Sequence, residues 1–269
     1  MTAVRKPKAL RNPTAYLLKL PAHCRRHFDR WNAGYRLLTG FATSYRSRPI
    51  TKKLTSDYDM LHDIRKTYQL GELTEATVAD NPFDQFDIWL KDALKSDEPE
   101  PTAMVVSTVD TDLQPHSRVV LLKEFTSEGL VFFTNYLGHK GRQIALHPQV
   151  SVLFFWPLLE RQVRITGIAY PTSDAVSDAY FHSRPPESRL GAWVSEQSSV
   201  IASTEVLHQR LEQFRREFGE QAPRPPHWGG YLITPVTFEF WQGRPSRLHD
   251  RLYFSKDESG SWKIQRLAP

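Results

Sequence analysis

Apolar and polar positions along this chain follow two different periods, and the change of period marks the elements. From Asn81 the period is helical. Phe83, Phe86, Leu90, Ala93 and Leu94 recur three and four residues apart through Lys95. Asn81-Pro82 supplies an N-cap and a proline at the first helical position. A polar break over 96–101 follows, and then β-branched and alternating runs predict strands over 103–109, 117–125, 129–134, 150–156 and 162–170. Short helices are predicted over 140–146, stopped by His147-Pro148, and over 172–182, with Ala175, Ala179 and Tyr180 on one side. A longer helix over 203–218 carries Val206, Leu207, Leu211, Phe214 and Phe218 as its stripe and ends at Gly219. Residues 231–241 predict another strand, and 252–255 with 262–267 a hairpin around Asp257-Glu258-Ser259-Gly260. Seven or eight strands joined by short turns predict a mainly β fold with flanking helices, closed or nearly closed as a barrel, over residues 60–269.

Composition narrows the class. A hydrophobic fraction of 40% suffices for a packed core. The single cysteine, Cys24, excludes an intramolecular disulfide and any multi-cysteine metal site. The histidines are scattered without an H-E-x-x-H, so no metal is expected. No apolar run approaches the roughly 18 residues that span a bilayer, and a cytoplasmic protein is expected.

Charge is unevenly spread. Residues 1–59 hold 13 basic and 3 acidic side chains, so the net +5 of the chain is +10 in this leader and −5 elsewhere. The basic balance therefore gives the main body no case for nucleic acid or membrane. The leader lacks periodicity. It reads as a transit peptide, as a nucleic-acid or membrane arm, or as an accessory or wrongly assigned extension, and the last fits its mixed composition best.

Several segments carry candidate chemistry. Arg247, His249 and Arg251 alternate, so an extended backbone would point all three to one side, suited to a planar anionic ligand. The other reading is a solvated basic loop. Strand parity puts Arg118 and Lys123 on opposite faces of Arg118-Val-Val-Leu-Leu-Lys123. Gly138-His139-Lys140-Gly141 opens a helix after a strand, and its amides beside Lys140 make a phosphate seat or a plain turn. Tyr180, Arg184 and Ser188, four apart at a helix end and in the loop after it, suit a second phosphate. Gln197, Ser198 and Ser199 offer uncharged hydrogen-bonding groups for a heterocycle edge. No G-x-S-x-G, S-x-x-K, Walker spacing or G-x-G-x-x-G is present. Many cations and no intrinsic redox or nucleophilic group suggest that a cofactor carries the chemistry.

Together RVVLLK at 118–123, FFTN at 132–135, ERQVRITG at 160–167, YFHSRPPES at 180–188, GAWVSEQSS at 191–199, FWQGRPSRLHDR at 240–251 and the closing WKIQRLAP resemble the pyridoxamine 5′-phosphate oxidase family. The resemblance implies an FMN-binding split β-barrel homodimer, with FMN in clefts between the subunits. It implies a cofactor site of Arg118, Val119, Lys123, Phe133, Thr134, His139, Lys140, Gln162, Gln197, Ser198, Trp241 and Arg251. It implies a substrate site of Arg65, Tyr68, Lys123, Tyr180, Arg184, Ser188, Arg247 and His249, the last two covering the ring and counted as catalytic. Arg65 and Tyr68 match the family's mobile N-terminal segment. The implied reaction oxidises pyridoxamine or pyridoxine 5′-phosphate to pyridoxal 5′-phosphate, with a hydride equivalent passing to flavin and O2 returning as hydrogen peroxide. A related flavin protein with another substrate would lack the R-x-H pair and the Tyr-Arg-Ser seat, and this chain has both.

The family usually has Arg where this chain has His139, and histidine is only partly charged near neutral pH. FMN retention is therefore expected to weaken as pH rises through the imidazole titration. FMN dissociation constants measured from about pH 6 to 8.5 should diverge between wild type and His139→Arg.

Overall fold

The structure is a computed structural model that describes residues 61–269. The leader 1–59, with Cys24, lies outside the described residues. The chain divides into two compact units, 1–65 and 66–269. Of the first, the described part holds a 3-10 turn at Leu61–Asp63.

The second unit opens with helix α1, Pro82–Lys95. The Asn81 side chain accepts the Phe83 amide at 2.9 Å, as an N-cap should. Phe86, Trp89, Leu90 and Ala93 are its buried stripe. Leu94, expected inward, is 54% exposed. Trp89 takes that place because it lies three and four residues from Phe86 and Ala93, on the side facing the sheet.

The strands are β1 (Ala103–Val109), β2 (Pro115–Leu121), β3 (Glu124–Thr126), β4 (Gly129–Asn135), β5 (Gln149–Trp156), β6 (Arg161–Pro171), β7 (Trp228–Gln242), β8 (Asp250–Lys256) and β9 (Trp262–Arg266). All pairings are antiparallel, in the order β2-β1-β5-β6-β7-β4-β3, with β8 added along β7 and β9 along β8. The sheet curls into a half-barrel whose end strands β2 and β3 are joined by two residues. There Leu122 N donates to Thr102 O at 2.9 Å and Lys123 N to Val131 O at 2.8 Å. The single strand expected over 117–125 is thus two. Its first part pairs with β1 and its second with β4, and the backbone turns at Lys123 to change partner.

Strand β7 also changes partner. Its first half pairs with β4 and its second half with β8, while β6 runs along both. The β6–β7 register shifts at Thr166/Gly167. A Cβ on Gly167 would lie 2.5 Å from Thr234 O, so the bulge needs a residue without one. The core fills the curl with Met104, Val106, Phe132, Phe154, Trp156, Val163, Ile165, Phe238, Phe240, Leu252 and Phe254, closed by α1.

Four more helices decorate the sheet: α2 (His139–Leu146), α3 (Asp174–Ser183), α4 (Pro186–Val194) and α5 (Glu205–Phe218). Helix α3 turns Ser177 and Phe181 inward, whereas Ala175 and Ala179, expected to face the body, are exposed. Phe181 packs on Trp228, and that large contact fixes the rotation of the helix. The loop expected after Arg184 is instead α4, with Pro186 in its first turn. Helix α5 leaves its stripe half-buried, and Gly219 ends it at φ 57°. No described helix is long and apolar enough to cross a membrane, and no metal-binding cluster occurs among the described residues.

Phe86 is fully buried against the rings of Phe125, Phe154 and Trp156. Phe86→Ala should lower unfolding free energy by about 3–5 kcal/mol in chemical denaturation.

Candidate functional site

Three groups of side chains stand out, and the first is built on two cations. Arg118 on β2 is opposite the buried Val106 of β1, so its side chain projects from the same face of the sheet. Its guanidinium donates to Thr108 Oγ1 (2.6 Å), Val106 O (3.1 Å), His116 O (3.2 Å) and Gln143 Oε1 (3.1 Å). Lys140, in the first turn of α2, donates to Thr134 Oγ1 (2.9 Å) and Gln197 Oε1 (2.7 Å). All these acceptors are neutral, and among the described residues neither cation pairs with a carboxylate. Burial, and then the charge of Arg118, push the Lys140 ammonium down to about 8. Burial also holds the Arg118 guanidinium below its ordinary value. Two half-buried cations, one of them depressed further by the other, would gain from an anion between them.

The first turn of α2 is pressed against the chain around it. A Cβ on Gly141 would lie 2.1 Å from Tyr136 O, and one on Gly138 2.6 Å from Gln197 Oε1. His139 itself is exposed, and its amide donates to Ser198 Oγ at 3.3 Å. Ser198 holds a left-handed φ of 71°. Thr134, His139, Lys140, Gln197 and Ser198 are thus brought together around α2.

The second group is aromatic, with one cation. Phe133 stacks on Tyr180 at 3.9 Å and on Trp228 at 5.6 Å between ring centroids. The Arg184 guanidinium lies 4.7 Å over Trp228, and its Nη1 is buried without a hydrogen-bond partner. Burial lowers the pKa of this guanidinium. A buried guanidinium nitrogen left open is costly unless a ligand accepts from it. Ser188 stands half-buried on α4, four positions further along the chain. Trp228 was missed by the sequence reading. Its only signal is an aromatic residue ahead of Gly229-Gly230, where a missing side chain leaves room for Phe133.

The third group sits on the β7–β8 hairpin. Gln162, Trp241 and Arg251 are cross-strand partners in one row. Trp241 and His249 lie 4.7 Å apart, and Tyr68 packs edge-on against both at 5.5 and 5.6 Å. His249 Nδ1 accepts the Arg244 amide at 3.1 Å, which leaves Nε2 to carry the proton of the neutral ring. Burial, and then Arg247, hold this imidazole below its usual value. Arg251 bonds Glu239 Oε1 at 2.9 and 2.8 Å and Ala268 O at 2.6 Å. The buried Glu239 also accepts from Arg164.

The extended alternation expected of Arg247, His249 and Arg251 does not occur. Residues 245–247 form a 3-10 turn with Ser246 and Arg247 at φ 57° and 60°. Pro245 fixes the start of that turn, so Arg247 projects exposed while Arg251 lies in β8. Val119, 62% exposed, and Lys123, also exposed, join none of the three groups. Arg65 belongs to the N-terminal unit and to no element of this one.

Trp228 and Trp241 stand near opposite ends of the 15-residue β7. A straight strand of that length would separate them by roughly 40 Å at about 3.3 Å per residue.

Residues 90–217 match a family model described as pyridoxamine 5′-phosphate oxidase, and residues 228–269 one described as the pyridoxine 5′-phosphate oxidase C-terminal dimerisation region. A pyridoxine/pyridoxamine 5′-phosphate oxidase of Bordetella petrii is 52% identical over 207 residues, 77% of this chain and 98% of the relative. That of Cupriavidus necator is 51% identical over 209 residues, 78% and 99%. This chain belongs to the pyridoxamine 5′-phosphate oxidase family. Among solved structures, PhzG from Burkholderia lata, in complex with tetrahydrophenazine-1-carboxylic acid, superposes with a TM-score of 0.70 at 27% identity, over 74% of this chain and 99% of that one. A pyridoxamine 5′-phosphate oxidase-related, FMN-binding protein of Nostoc punctiforme shares the fold, with a TM-score of 0.56 at 16% identity, over 71% and 100%. The dimerisation region of the oxidase family covers β7–β9, and so the Trp241–His249 corner.

Anion binding restores the charge of Lys140, so it is full below about 8 and weakens as pH rises through that value. With FMN as the phosphate-bearing probe, the dissociation constant should climb between roughly pH 7 and 9. Lys140→Met should bind more weakly and flatten the climb, read by quenching of flavin fluorescence.

Proposed function

We propose that the protein oxidises pyridoxine and pyridoxamine 5′-phosphate to pyridoxal 5′-phosphate with FMN as cofactor, in a site assembled from two copies of the chain. One observation carries the reading. Phe133, Tyr180 and Arg184 gather at the first end of β7 and Trp241 and His249 at the other, so the two groups sit at opposite ends of one 15-residue strand. A second copy, paired through the C-terminal dimerisation region, supplies the missing half.

The residues fit FMN. Arg118 and Lys140 offer buried positive charge without a carboxylate, as a phosphate requires, and Thr134, Gln197 and Ser198 add neutral hydrogen-bonding groups beside them. Gln162, Trp241 and Arg251 from the other copy would complete the cofactor's surroundings. When bound, FMN supplies the two-electron acceptor that no side chain of this protein provides.

The chain's own work is placement and electrostatics. Arg184, with an open Nη1, is the anchor for the substrate phosphate, and Tyr180 and Ser188 flank it. Holding the phosphate uses binding remote from the reacting carbon to orient the ring. His249, locked by the Arg244 amide and by Trp241, presents Nε2–H to the substrate's polar edge. Arg247 projects beside it and adds positive charge over the ring. Tyr68 closes the corner and keeps water from it.

Arg184→Ala and His249→Ala should each consume little oxygen with pyridoxine 5′-phosphate. Co-expressed, they form mixed dimers in which one site holds both defects and the other neither. Activity per mixed dimer should return to about half of wild type. A mixture no more active than the separate variants would show that each site is built from one copy.

A further inference from the structure

Residues 66–73 have no helix or strand of their own, yet they are tied down repeatedly. Gln69 N and Leu70 N both donate to Glu160 Oε2, at 2.7 and 3.1 Å. Lys66 Nζ lies 3.4 Å from Glu160 Oε1 and donates to Pro157 O at 2.9 Å. Further along, Gly71 O accepts from Arg244 at 3.0 Å and Leu73 N donates to Asp250 Oδ2 at 3.1 Å. Between these ties Tyr68 lies against Trp241 and His249. Gly243 leaves it room, since a Cβ there would stand 2.7 Å from the Tyr68 ring.

Glu160 lies between β5 and β6 and belongs to none of the three groups. Only 3% of it is exposed, and its φ is 55°. A buried carboxylate and a left-handed non-glycine backbone each cost free energy, so both together call for compensation. Burial alone would raise the carboxyl pKa. The Leu70 and Gln69 amides and Lys66 outweigh it and hold the group below its usual value. The backbone of the same residue meets the other side of the corner: Glu160 O accepts Gly243 N at 2.8 Å and Gln242 Nε2 at 3.2 Å. One residue thus joins the strap that carries Tyr68 to the hairpin that carries Trp241 and His249.

The geometry points to Glu160 as a positioning residue for substrate binding: its carboxylate docks the 66–73 strap and thereby sets Tyr68 against Trp241 and His249. This rests on the proposed reading of Tyr68 as a substrate contact. The left-handed backbone aims the carboxylate at the strap while the carbonyl meets the hairpin. Side chain and main chain therefore act on opposite walls of one corner.

The test compares wild type, Glu160→Gln, Glu160→Ala, Tyr68→Ala and the Glu160→Ala/Tyr68→Ala double variant, all as FMN-loaded holoenzyme. Hydrogen–deuterium exchange of strap peptides, without substrate, reads the latch directly. Gln69 and Leu70 should lose protection in both Glu160 variants. KM for pyridoxine 5′-phosphate should rise about tenfold on loss of the charge-assisted bonds, with kcat and flavin content nearly unchanged. The double variant should have the KM of Tyr68→Ala alone, because both changes remove the same contact. Glu160→Gln keeps the side-chain shape, so the comparison survives if Glu160→Ala does not fold. Unchanged strap protection in the Glu160 variants overturns the latch, as does a KM effect that adds to that of Tyr68→Ala. If protection is lost but Tyr68→Ala leaves KM unchanged, Tyr68 is no substrate contact and the positioning role falls with it.

Discussion

Strand β7 is long enough to serve two partners, and that length governs the site. Its first half closes the barrel against β4, and its second half pairs with β8. Backbone hydrogen bonding holds both halves extended, so Trp228 and Trp241 cannot fold back towards each other. Each end accordingly presents its own cluster: stacked rings under a guanidinium at one, a tryptophan and an imidazole at the other. The proposed completion by a second copy rests on strand geometry more than on any single residue.

Cations in this chain are held in two ways. Arg251 and Arg164 share the buried Glu239, and Arg266 is paired with Glu75 and Asp250. These charges are neutralised within the chain and fix the hairpin and the C-terminal strand. Arg118, Lys140 and Arg184 are held by neutral groups or by aromatic faces, and burial lowers the pKa of each. A low-dielectric setting that leaves positive charge uncompensated is disfavoured in the protein alone and becomes favourable when a phosphate arrives. Tyr68, tied through Glu160, belongs to the same economy: a buried carboxylate is retained because amide and ammonium donors converge on it.

Much of the architecture was legible because local rules and tertiary context agreed. Asn81-Pro82 begins a helix wherever it lies, and Gly219 ends one. Alternation along β1 and β5 matches their half-buried faces. Misreadings arose where local rules and tertiary packing diverged. The small side chains of Ala175 and Ala179 suggested a face, but Phe181 against Trp228 set the rotation of α3. Pro185-Pro186 suggested a loop, although proline is well placed in a first helical turn. The strand over 117–125 was broken by a change of partner, which no alternation pattern records.

The sequence by itself determined where α1, α5 and most strands lie and the set of cationic, amide and aromatic residues available for chemistry, because each depends on neighbours within a few positions. Only the tertiary structure decided which of them meet. The 3-10 turn at 245–247 undid the expected parity of Arg247, His249 and Arg251. Thr108 and Gln143, silent in the sequence, became the acceptors that hold Arg118. Glu160 opens the ERQVRITG segment but was assigned no role there, and it meets amides about ninety positions away. Contacts of that span are selected by packing and by the pairing of distant strands, and no local pattern encodes them.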